Sequence, residues 1–344
     1  MNTKFREFLK NKKVLVTGGT GSIGSALVRS LVEHEPLEVR ILSRDPLKQV
    51  ALQNTLPHSS ILRPVVGDMR DQERLASACE DIDIVFHAAA FKYVPQGESN
   101  PFEVIQTNIV GTQNLLSAVS KSPTISHFLM ISTDKAVQPA SVMGASKLLA
   151  ERLVRSTHSG RGSKQKVFSV VRFGNVLGSS GSVLPLFREQ MKRGEILVTH
   201  PEMTRFFMTI QDAVDLVFQA TLLARGGDLF VHKMPVVSIK ELAEACIKKY
   251  ADRPVEIRSV GVRPGEKLHE FLITPEEALT TLETDNLFII LGASGEYNQA
   301  LQEHWYPSAV PLKTEGYSTK LGRRLSPQEI LELLERVESQ TPYV

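Results

Sequence analysis

The amino-acid sequence predicts an α/β protein with a doubly wound parallel sheet and a smaller C-terminal lobe. Short β-branched runs alternate with helical segments, a glycine cluster follows the first run, and the alternation weakens after about residue 176. Alternating strands and helices are typical of a parallel sheet that is covered on both faces. The chain has 344 residues, 42% of them hydrophobic, and is therefore long enough to form two lobes.

The charge and cysteine content of the chain exclude several kinds of protein. The formal net charge of +2 comes from 40 basic and 38 acidic residues interspersed along the chain, so we expect neither nucleic acid nor a membrane as a partner. Cys79 and Cys246 lack the spacing of metal ligands and indicate buried apolar side chains, with no metal site. The sequence contains no signal peptide and no apolar run of about 20 residues, which predicts a cytoplasmic location.

Apolar runs predict the strands of the sheet in order. The first six runs are KVLVT at 13–17, VRILS at 39–43, ILRPVVGD at 61–68, DIVFHAAA at 83–90, HFLMIST at 127–133 and FSVVRFGNV at 168–176, with helical segments between most of them. Later elements are helices at 211–224 and 238–250, strands at 228–233 and 255–261, and a last helix at 326–338. Ser326 and Glu329 form a capping-box pattern that predicts the start of this last helix.

The glycine cluster after the first predicted strand matches a dinucleotide-binding loop. It satisfies G-x-G-x-x-G and G-x-x-G-x-x-G together, and it lies between a predicted strand and a predicted helix. Glycines there allow a tight turn and close approach to a pyrophosphate, and the helix start provides free N–H groups for the phosphates. The pattern predicts a Rossmann unit in which the dinucleotide contacts are Gly18, Thr20, Gly21, Ser22, Ile23 and Gly24.

The end of the second predicted strand indicates which dinucleotide binds. An acidic residue there bonds the ribose 2′-hydroxyl, whereas a basic residue accepts a 2′-phosphate. Ser43 and Arg44 occupy the contact positions and Lys48 follows one turn later, so the sequence favours NADP. Asp45 leaves NAD open, because strand ends are located from sequence only to within a few residues. Asp68, after the third strand, is a candidate adenine contact, with an ordinary turn as the alternative.

An acid and a base are adjacent at the end of the fifth predicted strand. Ligands bind at the carboxyl ends of strands in a doubly wound sheet, so Asp134 and Lys135 form a candidate proton-transfer pair. The alternative for this pair is a surface turn. Met143 and Lys147 lie one turn apart on a single face of the next predicted helix.

Ten motifs, spread over nearly the whole chain, carry a resemblance to a known family. They are TGGTGSIG, SRD, GDMRD, FHAAAFKYVP, NPFEVIQTNIVGTQN, STDKAVQP, MGASK, RFGNVLGSSGSVLPLF, PEMTRFFMT and RPGEK. On these motifs the chain resembles extended short-chain dehydrogenases/reductases and, within them, the UDP-N-acetylglucosamine 4,6-dehydratases of bacterial surface-polysaccharide synthesis. The resemblance implies a nicotinamide cofactor, a UDP-sugar substrate and a homo-oligomer.

Met143 departs from the pattern of the wider superfamily. Related enzymes have a tyrosine four residues before the lysine, and its phenolate takes the sugar hydroxyl proton. A thioether cannot accept that proton, so the resemblance leaves the first proton acceptor open. Some dehydratases of the resembled family share this methionine, so the substitution is compatible with activity.

The resemblance implies a three-step reaction without net redox. NADP takes a hydride from C4 of the sugar, water is eliminated across C5 and C6, and the hydride returns to C6. In this scheme Lys135 is the base at C5, Asp134 is the acid at the C6 hydroxyl and a candidate acceptor of the 4-hydroxyl proton, and Thr133 bonds the 4-oxygen. Lys147 bonds the nicotinamide ribose. Lys135 acts as a base only if its pKa lies well below about 10.4, and burial with nearby Lys147 is expected to lower it.

The same matching implies further cofactor and substrate contacts, while the alternation of strands and helices separates two domains. In addition to Lys147, the matching implies that Ala88 and Ala89 contact the cofactor. The substrate contacts are Lys92 and Asn175 at the sugar or diphosphate, Arg205 and Arg263 at the diphosphate, Glu266 at the nucleotide ribose, and Val183, Leu184, Pro185 and Thr199 around the uracil. A lone arginine is more often in a surface ion pair, and the three apolar residues fit core packing equally well. Residues 1–176, with 205–235 returning to them, are assigned to an NADP-binding Rossmann domain, and 177–204 with 236–344 to a substrate-binding lobe.

Two other functions are open. A nucleotide-sugar 4-epimerase shares the fold but needs no elimination pair and normally relies on the tyrosine, so Met143, Asp134 and Lys135 count against it. A non-catalytic dinucleotide sensor is the second alternative, and the retained STDK, Lys147 and RPGEK count against it. The stereochemistry at C5 is also open, and the absence of an N-terminal membrane-spanning region favours inversion.

Overall fold

Hydrogen bonds between strands form one large sheet and three small ones in the computed structural model, which describes residues 2–56, 59–159, 166–292 and 294–340. In chain order, the strands are β1 (Lys13–Thr17), β2 (Glu38–Ser43), β3 (Leu62–Val66), β4 (Ile84–His87), β5 (His127–Thr133), β6 (Val167–Phe173), β7 (Asn175–Val176), β8 (Glu195–Val198), β9 (Thr204–Met208), β10 (Leu229–His232), β11 (Val236–Ser238), β12 (Glu256–Ser259), β13 (Phe271–Ile273), β14 (Thr281–Glu283), β15 (Leu287–Ile290), β16 (Val310–Pro311) and β17 (Tyr317–Ser318).

The helices lie mostly between these strands. In chain order, they are α1 (Asn2–Leu9), α2 (Ser22–Glu33), α3 (Pro46–Asn54), α4 (Gln72–Ala78), α5 (Val94–Ser99), α6 (Pro101–Ile105), α7 (Gly111–Lys121), α8 (Val142–Ser159), α9 (Val183–Met191), α10 (Ile210–Leu223), α11 (Ile239–Tyr250), α12 (Pro275–Ala278), α13 (Ser294–Gln302) and α14 (Pro327–Ser339). Short 3₁₀ turns span Ser59–Ile61 and Asp134–Ala136, and a π-helical turn, Gln106–Val110, joins α6 to α7.

Within the described ranges, the strand order of the large sheet is β16-β14-β15-β10-β6-β5-β4-β1-β2-β3. From β3 to β10 neighbouring strands are parallel, and β15, β14 and β16 extend the sheet as antiparallel strands. β4 is buried at every position and β6 at all but its first, as expected for strands covered on both faces. The predicted doubly wound parallel sheet is confirmed.

The helices cover this sheet in two connected layers. In one layer, α2 packs on α10 and against β1 and β2, while α10 also contacts β5 and β6. In the other, α4, α7 and α8 pack in sequence, and α8 contacts β5 and β6. α2 takes its place because Ala26, Leu27 and Leu31 recur at helical spacing and are buried against the sheet. The carboxyl ends of the parallel strands form the edge at which such sheets bind ligands.

A second hydrophobic cluster forms the smaller lobe. Its side chains come largely from α9, α11, α14 and β8, and include Leu184, Leu242 and Leu334. The capping box predicted for the last helix is confirmed, because the Ser326 hydroxyl accepts the Glu329 N–H and the Glu329 carboxylate accepts the Ser326 N–H. This cap fixes where α14 begins.

Part of the chain assigned to the lobe lies in the large sheet instead. The sequence pattern assigns residues 236–344 to the lobe, whereas β15 pairs with β10 and the sheet continues through β14 to β16. All four residues of β15 are buried, so this apolar strand covers the edge that β10 would otherwise expose. Apolar patterning does not reveal which distant strand a run will pair with.

No helix in the described part of the chain is long and apolar enough to cross a membrane. The same residues contain no group of three or more histidine, cysteine or acidic side chains that is arranged to hold a metal ion. Cys79 and Cys246 lie buried and free, as expected from the sequence. Burial raises the pKa of both thiols to about 12, so neither is a reactive thiolate near neutral pH.

Candidate active site

The glycine loop turns between β1 and α2 in a conformation that requires small residues. Gly18 has a φ of 67°, and its N–H donates to the Leu42 carbonyl at 2.8 Å. A Cβ atom on Gly24 would lie 2.1 Å from the Gly18 carbonyl oxygen, so only glycine allows α2 to start this close to the loop. A Cβ atom on Gly21 would meet only that same oxygen, at 3.3 Å, among the described atoms within 4 Å. The loop therefore presents an open face at the start of α2.

The end of β2 provides one basic side chain on the surface. Ser43 is buried and accepts a hydrogen bond from the Gln49 amide at 3.0 Å, whereas Arg44 is exposed. The Asp45 carboxylate caps α3 by accepting the N–H groups of Leu47 and Lys48. Both capping bonds go to Oδ1, and Oδ2 of this carboxylate, which the sequence left open as a ribose contact, lies 3.9 Å from the Lys48 ammonium.

Asp68 follows β3 and is bound by its neighbour. Its carboxylate accepts the Arg70 N–H at 2.9 Å and two guanidinium hydrogen bonds from the same residue. The Arg70 hydrogen bonds lower the pKa of Asp68 despite partial burial. This is the geometry of the turn that the sequence left as the alternative to an adenine contact.

The segment after β4 borders the glycine loop and a second glycine-rich segment. A Cβ atom on Gly18 would lie 2.7 Å from the backbone of Ala89, so Ala88 and Ala89 adjoin the loop. The Lys92 ammonium donates to the Ser180 carbonyl at 2.7 Å, and the Ser180 N–H donates to the Ser22 hydroxyl at 2.9 Å. Burial lowers the pKa of Lys92. Lys92 is thus connected through Ser180 to the loop predicted to bind phosphates.

The predicted acid and base meet at the carboxyl end of β5. Asp134 is completely buried, and its Oδ1 accepts hydrogen bonds from the Thr133 hydroxyl at 2.9 Å and the Lys135 ammonium at 3.0 Å. Its Oδ2 has no hydrogen-bond partner among the described groups. Lys135 also lies 3.4 Å from the Asn175 side-chain oxygen, and its side chain is 26% exposed. The structure therefore brings Thr133, Asp134, Lys135 and Asn175 together.

The pKa of Lys135 differs from the sequence expectation. Burial alone lowers it, but the carboxylates of Asp134 and Glu270 more than offset burial and raise the pKa above its ordinary value. The opposing charge at this site comes from Arg205, not from Lys147. The expectation of a lowered Lys135 pKa is therefore wrong, because two carboxylates stabilise the ammonium form.

Lys147 and Met143 are carried to the same edge by α8. A Cβ atom on Gly144 would lie 2.3 Å from the Lys135 carbonyl oxygen, so this glycine allows α8 to pack directly on the Lys135 turn. The Lys147 ammonium donates to the Ile131 carbonyl at 2.7 Å, and burial lowers its pKa to about 8 although Glu151 opposes the shift. Met143 is buried. Lys147 is thus bound to β5, the strand that ends in the acid–base pair, and its lowered pKa lets it change charge near pH 8.

Asn108, in the π-helical turn, is a positioning side chain that the sequence analysis missed. Its side-chain oxygen accepts the Phe91 N–H at 2.7 Å, and its amide donates to the Phe91 carbonyl and to the Ser146 hydroxyl. It is buried and joins the segment that carries Lys92 to the helix that carries Lys147. Its position within the motif NPFEVIQTNIVGTQN was the only signal available in the sequence.

His87, at the end of β4, forms a second buried connection beneath the site. Its Nδ1 lies 2.7 Å from the Thr17 hydroxyl and its Nε2 lies 3.0 Å from the Thr112 hydroxyl. Thr112 itself donates to the Asn108 carbonyl, which favours a neutral imidazole protonated at Nε2. Burial, with Lys147 nearby, lowers the pKa of His87 to about 3. This histidine is a fixed hydrogen-bonding group and not an acid near neutral pH.

Arg205, on β9, is almost buried beside an acidic residue that the sequence analysis did not single out. It donates to the carbonyls of Thr204 and Leu268, and its Nε lies 3.6 Å from the Glu270 carboxylate. Glu270 also lies 3.1 Å from the Lys267 ammonium. Arg205 is therefore not in the surface ion pair that a lone arginine usually forms.

The remaining predicted substrate contacts lie around the lobe. Gly265 packs against Ser141 at the start of α8, which brings the turn containing Arg263 and Glu266 close to that helix. One carboxylate oxygen of Glu266 is buried without a hydrogen-bond partner in the described structure, whereas Arg263 is exposed. Among the described side chains, no hydrogen bond or ion pair joins either residue to Lys135.

The predicted uracil contacts differ among themselves. Leu184 is buried in the lobe core, as in the core-packing alternative, because it lies on the inner face of α9. Val183 is half-buried and Pro185 is exposed in the first turn of the same helix. Thr199, just after β8, is half-buried, and its carbonyl lies 3.5 Å from the Ser259 hydroxyl.

The chain matches a known family model and is similar to known enzymes. Residues 14–291 match the family model described as polysaccharide biosynthesis protein. The chain is 39% identical over 282 residues to the inverting UDP-N-acetylglucosamine 4,6-dehydratase of a Campylobacter jejuni strain, covering 81% of this chain and 82% of the relative. It is 38% identical over 329 residues to a UDP-glucose 4-epimerase of Rickettsia canadensis, covering 94% and 95% of the two chains.

A further relative and a solved structure match most of the chain. A protein of Methanocaldococcus jannaschii described as an uncharacterized membrane protein is 48% identical over 303 residues, covering 86% of this chain and 90% of the relative. The X-ray structure of Pen from Bacillus thuringiensis superposes with a TM-score of 0.88 at 38% identity, covering 96% of this chain and 99% of that one.

Proposed function

Because the chain belongs to the polysaccharide biosynthesis family, with both nucleotide-sugar dehydratases and epimerases among its relatives, we propose that it is a UDP-N-acetylglucosamine 4,6-dehydratase. The product would be a UDP-linked 2-acetamido-2,6-dideoxy-4-keto-hexose for surface-glycan synthesis. The observation that carries the proposal is the Asp134–Lys135 pair at the end of β5, with Thr133 and Asn175 in contact. An elimination of water needs both an acid and a base at one site, and this pair provides them.

The glycine loop fits a nicotinamide dinucleotide. Gly18 and Gly24 make the tight turn, and the open face at Gly21 adjoins the free N–H groups at the start of α2. When bound, the cofactor supplies reversible removal of a hydride from C4 of the sugar. Exposed Arg44 would neutralise a 2′-phosphate, whereas the Asp45 carboxylate caps α3 through Oδ1, and these two features support NADP over NAD.

Asp134 would handle the proton that tyrosine takes in the wider superfamily. The buried Met143 thioether cannot accept a proton, whereas Thr133 already donates to Asp134 and can pass on the 4-hydroxyl proton. Asp134 would then deliver the same proton to the departing C6 hydroxyl, which leaves as water. The proton count of the site therefore closes without a further acid.

Lys135 would remove the C5 proton and later deliver a proton to the same carbon. Protonation of Asp134 takes away a negative charge that raises the Lys135 pKa, so the ammonium can release its proton to solvent through its exposed part. The neutral amine then abstracts the proton at C5, which is acidic because of the adjacent ketone. The resulting ammonium exchanges its protons with solvent through its exposed part. After water has left, it delivers a solvent-derived proton to C5, and delivery on the opposite face would give the inverted product.

The remaining contacts are assigned to substrate binding. Arg205, Arg263 and Lys92 would neutralise the diphosphate, Asn175 would contact the sugar, and Glu266 would hold the nucleotide ribose. Val183, Pro185 and Thr199 would border the uracil, with Leu184 supporting them from the lobe core. We further propose that the enzyme works in the cytoplasm as a homo-oligomer.

A UDP-sugar 4-epimerase is the second candidate, because rickettsial 4-epimerases match nearly the whole chain. An epimerase returns the hydride to the other face of C4 and has no use for an acid–base pair at C5 and C6. A non-catalytic dinucleotide sensor would bind cofactor and transform nothing. These alternatives predict different products from one substrate.

The test is incubation of the full chain with UDP-N-acetylglucosamine and either NADP or NAD in deuterated water, followed by proton NMR. A dehydratase gives a 6-deoxy-4-keto sugar with deuterium at C5. The galacto isomer without exchange would establish an epimerase instead, and unchanged substrate with bound cofactor would leave only a sensor.

The same assay tests the base. Lys135→Ala should abolish the keto product while cofactor remains bound, because the side chain lies at the sugar end of the site. Lys240→Ala is the matched control, since Lys240 is about half exposed in a surface pair with Glu244, and it should leave the rate unchanged. Full turnover by Lys135→Ala would remove Lys135 from the mechanism.

A further inference from the structure

A buried carboxylate, Glu270, lies next to the proposed acid–base pair and is not among its assigned residues. It is 2% exposed and directly precedes β13. Its Oε2 lies 3.1 Å from the Lys267 ammonium, and its Oε1 lies 3.6 Å from Arg205 Nε. Its backbone is fixed on both sides by Thr319, which accepts the Glu270 N–H and donates its own N–H to the Glu270 carbonyl. A buried carboxylate is costly unless such partners hold it.

The segment that carries Glu270 is packed on the turn that carries Lys135. Lys267 donates to the Val137 carbonyl at 2.8 Å, and the Val137 N–H donates to the Asp134 carbonyl at 3.0 Å. β13 contacts the Asp134–Ala136 turn directly. The Glu270 carboxylate therefore belongs to a segment that packs on the Lys135 turn, whereas Asp134 is the chain neighbour of Lys135.

The charges around Lys135 come from three elements. Asp134 lies on the same turn, Glu270 precedes β13, and Arg205 lies on β9. With Lys135 charged and Lys267 included, the cluster holds three cations and two carboxylates. Removing Glu270 would leave the cations with only Asp134, in a place where burial weakens the solvation of every charge.

We propose that Glu270 is a positioning residue of this site, holding the Arg205 guanidinium in place and keeping the Lys135 amine in its charged form until substrate is bound. The proposal rests on the proposed dehydratase function for its kinetic consequences. Its two physical claims, the proton affinity of Lys135 and the orientation of Arg205, are measurable without turnover.

The sign of the effect on Lys135 follows from the contacts. Both carboxylates raise the Lys135 pKa, whereas burial and Arg205 lower it. Replacing Glu270 by Gln removes one raising charge and keeps the shape, so the Lys135 pKa falls. Since Lys135 must be neutral to act as a base, the rising limb of the activity–pH profile moves to lower pH.

The experiment compares wild type with Glu270→Gln by NMR of lysines labelled with ¹³C at Cε, assigning the Lys135 signal from its absence in Lys135→Ala. We expect the Lys135 titration midpoint to fall by about one pH unit, the low end of what one nearby charge produces. The rising limb of the kcat–pH profile should shift by the same amount. KM for the UDP-sugar should increase several-fold, because Arg205 loses its ion pair with Glu270.

Two further variants separate this role from a structural one. Glu270→Asp keeps the charge but draws it back by one methylene, so it should give a smaller shift of the midpoint, and it also serves as the test if Glu270→Gln does not fold. Glu283→Gln removes a carboxylate paired with Lys233 at 2.6 Å in the antiparallel part of the sheet, and should change neither midpoint nor KM.

The outcomes distinguish the two proposals. An unchanged Lys135 midpoint in folded Glu270→Gln, or in folded Glu270→Asp if only that variant folds, would overturn the role given to Glu270. If Glu270→Gln shifts the Lys135 midpoint but the wild-type protein dehydrates no UDP-sugar, the role of Glu270 would be supported and only the dehydratase assignment would be refuted.

Discussion

Two lysines at the same sheet edge have opposite electrostatic surroundings. Lys147 has a backbone carbonyl as its hydrogen-bond partner, and burial lowers its pKa to about 8. Lys135 is adjacent to the Asp134 carboxylate, which with Glu270 raises its pKa. In mildly alkaline solution above pH 8, the first is mostly neutral while the second keeps its proton. Neighbouring charge, more than burial, therefore decides which lysine is charged.

The lowered pKa of Lys147 predicts a pH-dependent stability. Its folded pKa of about 8 lies below the ordinary 10.5, so the unfolded chain binds more protons between these values. The associated stability is present above pH 10.5 and is lost as the pH falls through 8. From pH 7 to 9.5 we expect this lysine to add about 2 kcal/mol to the free energy of unfolding.

Urea unfolding of wild type and Lys147→Met at the two pH values measures this contribution. The difference between the proteins cancels the other titrating groups, because both share them. The wild type should gain about 2 kcal/mol relative to the variant on going to the higher pH. Equal gains in the two proteins would show that Lys147 is not titrating abnormally.

The sequence identified the acid–base pair but not its environment. Thr133, Asp134 and Lys135 are consecutive, so recognising one strand end was enough to place them at one edge. Glu270 comes far later in the chain and reaches Lys135 only through the packing of β13, so no local pattern announces it. The expected direction of the Lys135 pKa shift was wrong because the charge of the adjacent Asp134 was left out and the distant Glu270 adds to it.

At the scale of elements, the glycines of the loop between β1 and α2 have different roles. Gly24 makes the contact between α2 and the loop possible, because a Cβ atom there would lie 2.1 Å from a carbonyl oxygen. Gly21 has a φ of −78°, which any residue can adopt, and its added Cβ would point to open space apart from one oxygen at 3.3 Å. The fold requires Gly24, whereas the proposed dinucleotide would require Gly21, because its phosphates would approach that backbone.

Two alanine substitutions separate these duties. Gly24→Ala should reduce the free energy of unfolding by about 1–3 kcal/mol, as overpacking does, and weaken dinucleotide binding with it. Gly21→Ala should cost less than about 1 kcal/mol at this helix start but still weaken dinucleotide binding at least tenfold. Thermal unfolding and cofactor titration measure the two effects, and Gly21→Ala with wild-type affinity would contradict a phosphate site at this loop.

Most elements of the sheet were predictable because their signals are local. The six apolar runs correspond to β1–β6, and the sixth divides into β6 and β7 at Gly174, where an added Cβ would lie 2.7 Å from Phe206. The π-helical turn at Gln106–Val110 has no periodicity of its own and was missed. The residues of β14, β15 and β16 were assigned to the lobe but lie in the large sheet, which local patterns do not reveal because strand pairing is a long-range property.

At the scale of the whole molecule, one buried arginine joins three parts of the fold. Arg172, on β6, donates to both carboxylate oxygens of Glu151 on α8 and of Glu277 on α12. It also donates to the Leu272 carbonyl at 2.7 Å. The network ties the sheet to the helix that carries Lys147 and to the segment that follows Glu270. Arg172 thus fixes the helix of Lys147 and the segment after Glu270 relative to each other.

Breaking this network should be far more costly than breaking a surface pair. Arg172→Met leaves two carboxylates buried without their cation, and we expect a loss of about 3–5 kcal/mol in the free energy of unfolding. Arg258→Met is the matched control, because Arg258 pairs with Glu195 at 3.1 Å while 61% exposed, and its loss should be small. Similar urea midpoints for the two variants would refute this account of the network.

The late position of β15 in the chain has a consequence for biosynthesis. When a nascent chain has emerged from the ribosome as far as β10, its parallel strands can pair, but the edge of β10 is exposed because β15 has not yet emerged. Exposed strand flanks attract other chains. A ribosome that pauses before Leu287 would therefore hold an aggregation-prone intermediate, in which the edge of β10 stays exposed until β15 is made.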